Sequence, residues 1–242
     1  MVSAPPLNWT FSNNEMTRDE QRNLINYLEK FISDNKKSLI EEKLGRRTRY
    51  ITVVLEDIYN PHNASAVIRS CECFGIQDLH VVEKRNKYRL NPGVTRGSSK
   101  WISLFQYNND QDNNTDKCIR NLKNMGYRLV AATPDHGSIP VNEYKLKSPV
   151  ALFFGTEMKG LSDKTLNQMD ETIHIPIRGF TESFNISVSV ALCLYEFTKK
   201  LATSNLNWLL NKAQMDELRI DWYKKVIKKS VLLEKEFFNI HK

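Results

Sequence analysis

Three polar clusters in this sequence offer groups that can bind a small polar ligand. The first pairs Asn63 with Arg69, whose guanidinium carries five hydrogen-bond donors in a planar fork. The second is Glu157, which follows an apolar run and a Gly-Thr pair, so flexible backbone and a carboxylate come together. The third is the Ser-Phe-Asn segment at 183–185, which precedes a helix rich in small residues. These groups predict a ligand site assembled from three parts of the chain.

Each cluster also has a plain structural interpretation. Asn63 and Glu157 are both residue types that occur at helix N-termini, where they satisfy free backbone amides. Arg69 is compatible with a surface ion pair, and Ser183 and Ser187 with ordinary capping and packing. The residues alone leave both interpretations open.

The elements that must position these clusters alternate between strand and helix. Apolar runs predict strands at 51–55, 78–82, 128–133, 150–154 and 172–175, and spacing predicts helices at 64–74, 115–125 and 185–201, with a loop-rich stretch from 83 to 101. This alternation predicts an α/β fold, a parallel sheet with helices on both faces. Ligands of such sheets bind outside the carboxyl ends of the strands. The first strand is not followed by a glycine-rich turn, which excludes a dinucleotide-binding loop.

Helical extensions flank this core. We predict a helical arm with a basic junction at 1–48, the core at 49–202, and a basic helical extension at 203–242. Thr17 and Glu20 form a capping-box pattern that begins a helix expected to run to Leu44. One or two helices are expected between 205 and 241, with Lys224 and Lys228 on a shared face because they are four residues apart. A solvated face and an RNA contact are both compatible with these lysines.

Composition narrows the class of protein. The formal charge of the 242 residues is +7, which favours an anionic partner, with nucleic acid the leading candidate. No apolar run approaches the roughly 20 residues of a membrane span and no signal-peptide pattern is found, so we expect a cytoplasmic protein. The four cysteines lack a zinc-binding spacing, so we expect buried reduced thiols and no metal.

The three clusters, taken in order, resemble the three motifs of the SpoU family of SPOUT RNA methyltransferases. The matching segments are N-x5-R from Asn63, F-G-T-E-x-x-G-L-S from Phe154, and I-P-I followed by S-F-N-I-S-V-S-V-A, within residues 50–200. Phe184 stands where the family usually has leucine, a conservative exchange. The flanking helices and the basic junction additionally look like the tRNA guanosine 2'-O-methyltransferase (TrmH) branch of that family.

This resemblance implies a fold, a cofactor and an assembly. The fold would contain a deep trefoil knot at the C-terminal part of the sheet. The cofactor would be S-adenosyl-L-methionine, held largely by backbone atoms of the knot. A homodimer would complete the catalytic site. The cofactor-binding residues implied are Ala132, Thr133, Gly155, Ile175, Ser183, Phe184 and Asn185.

The resemblance also implies the reaction, which is methylation of a ribose 2'-hydroxyl in tRNA, at the D-loop guanosine in position 18. Arg69, Asn63, Glu157 and Asn185 would be the catalytic residues. A guanidinium is a poor base in any protein, so we expect Arg69 to orient the hydroxyl and the adjacent phosphate while the proton leaves to phosphate or water. The residues expected to contact RNA are Arg46, Arg47, Arg178, Lys224, Lys225 and Lys228.

Three alternatives stay open. A sibling activity is 2'-O-methylation of rRNA guanosine, which is usual in relatives with a separate N-terminal substrate-binding domain. A noncatalytic RNA-binding SPOUT protein is a second. What argues against it is the joint presence of Asn63, Arg69, Glu157, Ser183 and Asn185. A generic nucleotide-binding α/β protein is the third, and the glycine loop or P-loop that it needs is missing from the sequence.

Overall fold

The computed structural model describes residues 16–109, 113–135 and 137–240, and its core is one parallel sheet of seven strands in the order β3-β2-β1-β6-β4-β7-β5. The strands are β1 Ile51–Glu56, β2 Asp78–Val82, β3 Ser103–Tyr107, β4 Arg128–Ala132, β5 Ile139–Pro140, β6 Val150–Phe154 and β7 Glu171–His174. The helices are α1 Arg18–Leu28, α2 Asp34–Leu44, α3 Pro61–Cys73, α4 Pro92–Thr95, α5 Asn114–Asn124, α6 Asp163–Leu166, α7 Ile186–Ala202, α8 Lys212–Val226 and α9 Ser230–Ile240.

The parallel sheet predicted from the sequence is confirmed. The central strands β1 and β6 are buried along their whole length, and Ile51 pairs with Val150 and Leu55 with Phe154. Strands buried on both faces read as continuous apolar runs, which is why these limits were predictable. β3 and β5 were not predicted. β3 is an edge strand with partly exposed residues, and β5 has only two residues, so neither forms an apolar run.

Helices cover both faces of the sheet, as predicted. Val53 and Leu55 of β1 belong to the same apolar cluster as the inner sides of α3 and α7, which pack on each other. Glu56 points to the opposite face, where Thr115 of α5 lies 3.5 Å from its carboxylate. This alternation follows from the two-residue period of a strand.

The chain divides into two compact units, of which residues 48–208 form the one that contains the sheet. The other combines residues 16–47 with 209–240, where α1 packs on α8 and α9, and Arg219 donates to both carboxylate oxygens of Glu41. The capping box of Thr17 and Glu20 is confirmed. The single helix expected to run to Leu44 is wrong, because a 3-10 turn at 29–31 and extended backbone at Ile32 separate α1 from α2. The division at 1–48, 49–202 and 203–242 stays a prediction.

Two further features bear on the expected class of protein. Within the described ranges no helix is both long and apolar enough to cross a membrane. All four cysteines are free thiols, and Cys71, Cys118 and Cys193 are buried as expected. The expectation is wrong for Cys73, which lies on the solvent side of the last turn of α3.

Candidate active site

A cavity of about 470 Å³ opens at the carboxyl ends of β4, β6 and β7. This is the sheet edge at which ligands of parallel α/β folds bind, and the volume falls within the usual range for small-molecule sites. The cavity brings together six of the seven residues expected to hold a cofactor, namely Ala132, Thr133, Gly155, Ile175, Ser183 and Phe184. Asn185 is not among the lining residues that the structure describes. Cofactor binding by these residues stays a prediction.

The turn after β6 is folded back so closely that position 155 admits only glycine. Thr156 and Gly160 exchange backbone hydrogen bonds of 3.0 and 2.9 Å. A methyl group on Gly155 would lie 1.9 Å from the carbonyl carbon of Gly160 and 2.1 Å from its oxygen. Gly160 itself has a φ of +63°, in the left-handed region that favours glycine. Gly155 and Gly160 therefore allow the tight turn at 156–160, which places Glu157 in the wall of the cavity.

A chain of hydrogen bonds joins the three sequence clusters. The hydroxyl and amide of Ser187 donate to Oδ1 of Asn185 at 2.7 and 2.9 Å. Nδ2 of Asn185 donates to Oδ1 of Asn63 at 3.1 Å, and Nδ2 of Asn63 donates to Oε1 of Glu157 at 2.6 Å. Asn185 and Asn63 both direct their side-chain nitrogen toward Glu157, so the group at that end must accept a hydrogen bond, and the Glu157 carboxylate does so.

The structural interpretations of these residues can now be decided. The cap of α3 is Asn60, which accepts from His62 at 2.9 Å, whereas Asn63 is the third residue of the helix and does not cap it. Glu157 lies in the 156–160 turn, well before α6, so it caps no helix either. Asn185 does cap α7 through its bond to Ser187.

Arg69 is not joined to this chain. Its side chain is exposed on α3, it is not among the described residues that line the cavity, and no hydrogen bond or ion pair to a described residue holds it. The surface ion pair considered from the sequence is therefore not found within the described ranges. A single copy of the chain thus brings Asn63, Glu157 and Asn185 together and leaves Arg69 facing solvent.

Sequence reasoning missed Glu56, the last residue of β1. Its buried carboxylate accepts from the amide and hydroxyl of Ser162 at 2.9 and 3.0 Å, from Thr165 at 2.5 Å, and from Lys84. Burial raises the pKa of Glu56, but the hydrogen bonds from Lys84, Thr165 and Ser162 outweigh burial and hold that pKa below its ordinary value. Glu56 therefore joins Ser162, the last residue of the second motif, to the central strand β1 through hydrogen bonds. The sequence feature that could have identified Glu56 is a charged residue at the end of an apolar strand.

The basic junction has only one exposed arginine. Arg46 is exposed and lies 3.2 Å from Glu42, and Arg178, after β7, is exposed as well. Arg47 is 3% exposed, and its guanidinium stacks over the ring of Trp222 at 5.1 Å. The prediction that Arg47 contacts RNA is wrong, because a buried guanidinium that packs on an indole cannot reach a phosphate.

The C-terminal lysines do not share one helical face as predicted. α8 ends at Val226, Ile227 has extended backbone, and Lys228 lies exposed in the turn before α9. Lys224 is bound to Glu234, and Lys225 lies 2.5 Å from Asp221. Of the three lysines expected to contact RNA, Lys228 has no ion pair to a described residue.

The chain is similar in sequence and in fold to known RNA methyltransferases. Residues 50–195 match the model of the SpoU rRNA Methylase family. The chain is 44% identical over 216 residues to a tRNA (guanosine(18)-2'-O)-methyltransferase of Borreliella burgdorferi, covering 89% of this chain and 97% of that protein. It is 30% identical to a protein of the same name from Thermus thermophilus, covering 77% and 94% of the two chains. The crystal structure of a TrmH/SpoU tRNA modifying enzyme of A. aeolicus superposes with a TM-score of 0.71 at 27% identity, over 81% and 98%.

Proposed function

Because this chain belongs to the SpoU rRNA methylase family, we propose that it transfers a methyl group from S-adenosylmethionine to the ribose 2'-hydroxyl of guanosine 18 in tRNA. The observation that carries the proposal is the hydrogen-bonded chain from Asn185 through Asn63 to Glu157, which reaches the cavity through Glu157. The three family motifs thus meet at one place in the fold.

The choice of tRNA rests on similarity and charge. The Borreliella burgdorferi relative, named for guanosine 18 of tRNA, aligns with this chain over nearly its whole length. The net charge of +7 suits a polyanionic substrate. Exposed Arg46, Arg178 and Lys228 would contact its phosphates, and Lys224 and Lys225 would do so after exchanging their carboxylate partners. We place the reaction in the cytoplasm, with rRNA guanosine as the alternative substrate.

The cavity suits S-adenosylmethionine. Its walls combine apolar side chains, among them Phe154, Leu161 and Ile173, with strand-end backbone and the carboxylates of Glu157 and Glu182. When bound, the cofactor supplies a methyl group on a positively charged sulfur. Gly155, Ile175 and the 183–185 segment would hold it, and the two carboxylates place negative charge in the same cavity.

The residues of the chain then have distinct tasks. Arg69 donates to the ribose 2'-oxygen and the adjacent phosphate, which aligns that oxygen with the methyl group. Its guanidinium stays protonated, so the hydroxyl proton leaves to phosphate or water. Asn63 holds the carboxylate of Glu157 in place, and Asn185 holds Asn63.

We infer that the active form is a homodimer and that the fold contains the trefoil knot of the family. Val188, Leu192 and Tyr195 form a stripe on α7 at helical spacing, and they are 43, 37 and 53% exposed. Contiguous exposed apolar side chains favour a protein interface. A second copy bound to this stripe would provide a protein surface next to Arg69, which faces solvent in a single chain, and would complete the catalytic site.

The test is transfer of labelled methyl from S-adenosylmethionine to unmodified tRNA transcripts, mapped as nuclease-resistant dinucleotides. A methylated guanosine 18 that is lost in Arg69→Ala and kept in the control Lys145→Ala supports the proposal. Transfer to ribosomal RNA alone would overturn the tRNA assignment. Cofactor binding without transfer to any RNA would overturn the proposed activity and favour the alternative of a noncatalytic RNA-binding protein.

A further inference from the structure

The connection after β2 carries a row of cations on its outer side. Arg85, Lys87 and Arg89 are exposed, whereas the residues between and after them are partly buried. Tyr88 and Leu90 pack against the apolar core of the sheet. Since alternate residues of a stretched segment point to opposite sides, anchoring Tyr88 and Leu90 inward turns the three cations outward.

These charges are not neutralised by the protein. Within the described ranges none of the three side chains has an ion-pair partner. Their neighbour Lys84 differs, because it is bound to the buried carboxylate of Glu56. Three like charges held close together without counter-charges create a local positive potential that an anionic polymer would relieve.

Both ends of the segment are fastened to the surroundings of α3. Oδ1 of Asp57 accepts from the backbone amides of residues 84–86 at 3.1, 2.8 and 2.8 Å. Asp57 has a φ of +56°, a left-handed conformation that a non-glycine residue rarely adopts. At the other end, the amide of Asn91 donates to the hydroxyl of Ser65 on α3 at 2.8 Å. The row therefore has a fixed place beside the helix that carries Arg69.

We propose that Arg85, Lys87 and Arg89, here called the basic strip, form a contact surface for the phosphates of the RNA substrate. The inference rests on the proposed function and adds a binding surface to it. The strip follows the carboxyl end of β2, the same edge of the sheet at which the cavity opens. Successive cations are at most about 7 Å apart along the backbone, so they can contact neighbouring phosphates of one strand.

The chain offers a matched control at the opposite edge of the sheet. Lys145 and Lys147 are exposed and flank Leu146, which packs on the same apolar core as Tyr88. They precede the amino end of β6, away from the cavity edge. In each pair the two cations flank one side chain that packs on the core, so Lys87→Gln with Arg89→Gln and Lys145→Gln with Lys147→Gln remove equal charge.

The experiment measures binding of an unmodified tRNA transcript by filter retention across a range of salt, and methyl transfer at saturating tRNA. For Lys87→Gln/Arg89→Gln we expect the Kd to rise roughly 10-fold near 0.15 M salt, and the slope of log K against log salt to fall by about 2. Arg85→Gln alone should lower the slope by about 1. The kcat, the affinity for S-adenosylmethionine and the melting temperature should stay those of the unsubstituted protein.

Equal Kd values and slopes for the strip and control variants would overturn the inference. So would a rise in Kd for the strip variant without a change in salt slope, because the lost affinity would then not come from phosphate contacts. A protein that binds tRNA and methylates none would refute the proposed function instead, and the binding comparison would still decide the role of the strip.

Discussion

The side-chain amide of Asn63 donates to a carboxylate oxygen of Glu157 at 2.6 Å, although the two residues are 94 positions apart. The other end of the same amide accepts from Asn185. Asn63 therefore connects the two residues in a fixed orientation, with its side-chain oxygen toward Asn185, the cap of α7, and its nitrogen toward the Glu157 carboxylate. Because the orientation is fixed, a test can distinguish a functional hydrogen bond between Asn63 and Glu157 from simple closeness of the two side chains.

Asn63→Asp should lower kcat/KM about 10- to 100-fold, because the charge-assisted hydrogen bond, worth about 1.5–3 kcal/mol, is replaced by two opposed carboxylates. Steady-state methyl transfer to tRNA measures the loss. Adding Glu157→Gln restores a donor opposite the aspartate, so the double variant should exceed Asn63→Asp in activity, with Glu157→Gln alone as the reference. Strictly additive losses would show that the two side chains do not act through their hydrogen bond.

Arg69→Lys should lose roughly 10- to 100-fold in kcat, since an ammonium cannot form the paired, planar hydrogen bonds of a guanidinium. Arg69 lies outside the cavity, so the affinity for S-adenosylmethionine should not change. Single-turnover transfer and calorimetric titration separate the two quantities. Near-normal turnover in the lysine variant would contradict the orienting role.

The sequence predicted the sheet better than it predicted the contacts. The limits of β2 and β6 could be predicted because buried strands are continuous apolar runs, whereas the edge strand β3 mixes polar and apolar residues. The break at Ile32 and the end of α8 at Val226 were missed, because neither is marked by proline or glycine.

The site shows the same contrast. Asn63, Glu157 and Asn185 could be selected as residue types, but their hydrogen bonds depend on strand order, which local sequence does not encode. Arg47 looked like a surface cation because it lies in a basic run, and only the tertiary packing against Trp222 reveals its burial.

Gly155→Ala should destabilise the protein by about 3 kcal/mol or more, because the new methyl group would overlap the backbone at Gly160 and neither strand end nor turn can move freely. Thermal unfolding gives the loss, and titration should show weaker binding of S-adenosylmethionine. Gly179→Ala is the control, since a methyl group there meets no atom within 4 Å and its backbone is not left-handed. Equal melting temperatures for the two variants would refute the close approach.

Leu192→Glu should convert the proposed dimer to a monomer, because a charge would be buried at the centre of the α7 stripe. Sedimentation velocity would show the change, and methyl transfer should fall with it. Leu39→Glu is the control, an exposed leucine on α2 that is 50% exposed. A dimeric, active Leu192→Glu protein would place the interface elsewhere.

Glu56 should make stability depend on pH in the acid range. Its folded-state pKa lies below the ordinary value of 4.5, so the folded protein resists protonation that the unfolded chain accepts. The stabilisation is complete well above pH 4.5, and it is lost as the pH falls from there through the folded-state pKa. Glu56→Gln removes this contribution, so the gap in unfolding free energy between the two proteins should narrow as the pH falls below about 4.5. Urea unfolding between pH 3 and 7 measures the gap, with exposed Glu143→Gln as control. A gap of constant size across that range would mean that the Glu56 carboxylate contributes no more in its ionised form than in its protonated form.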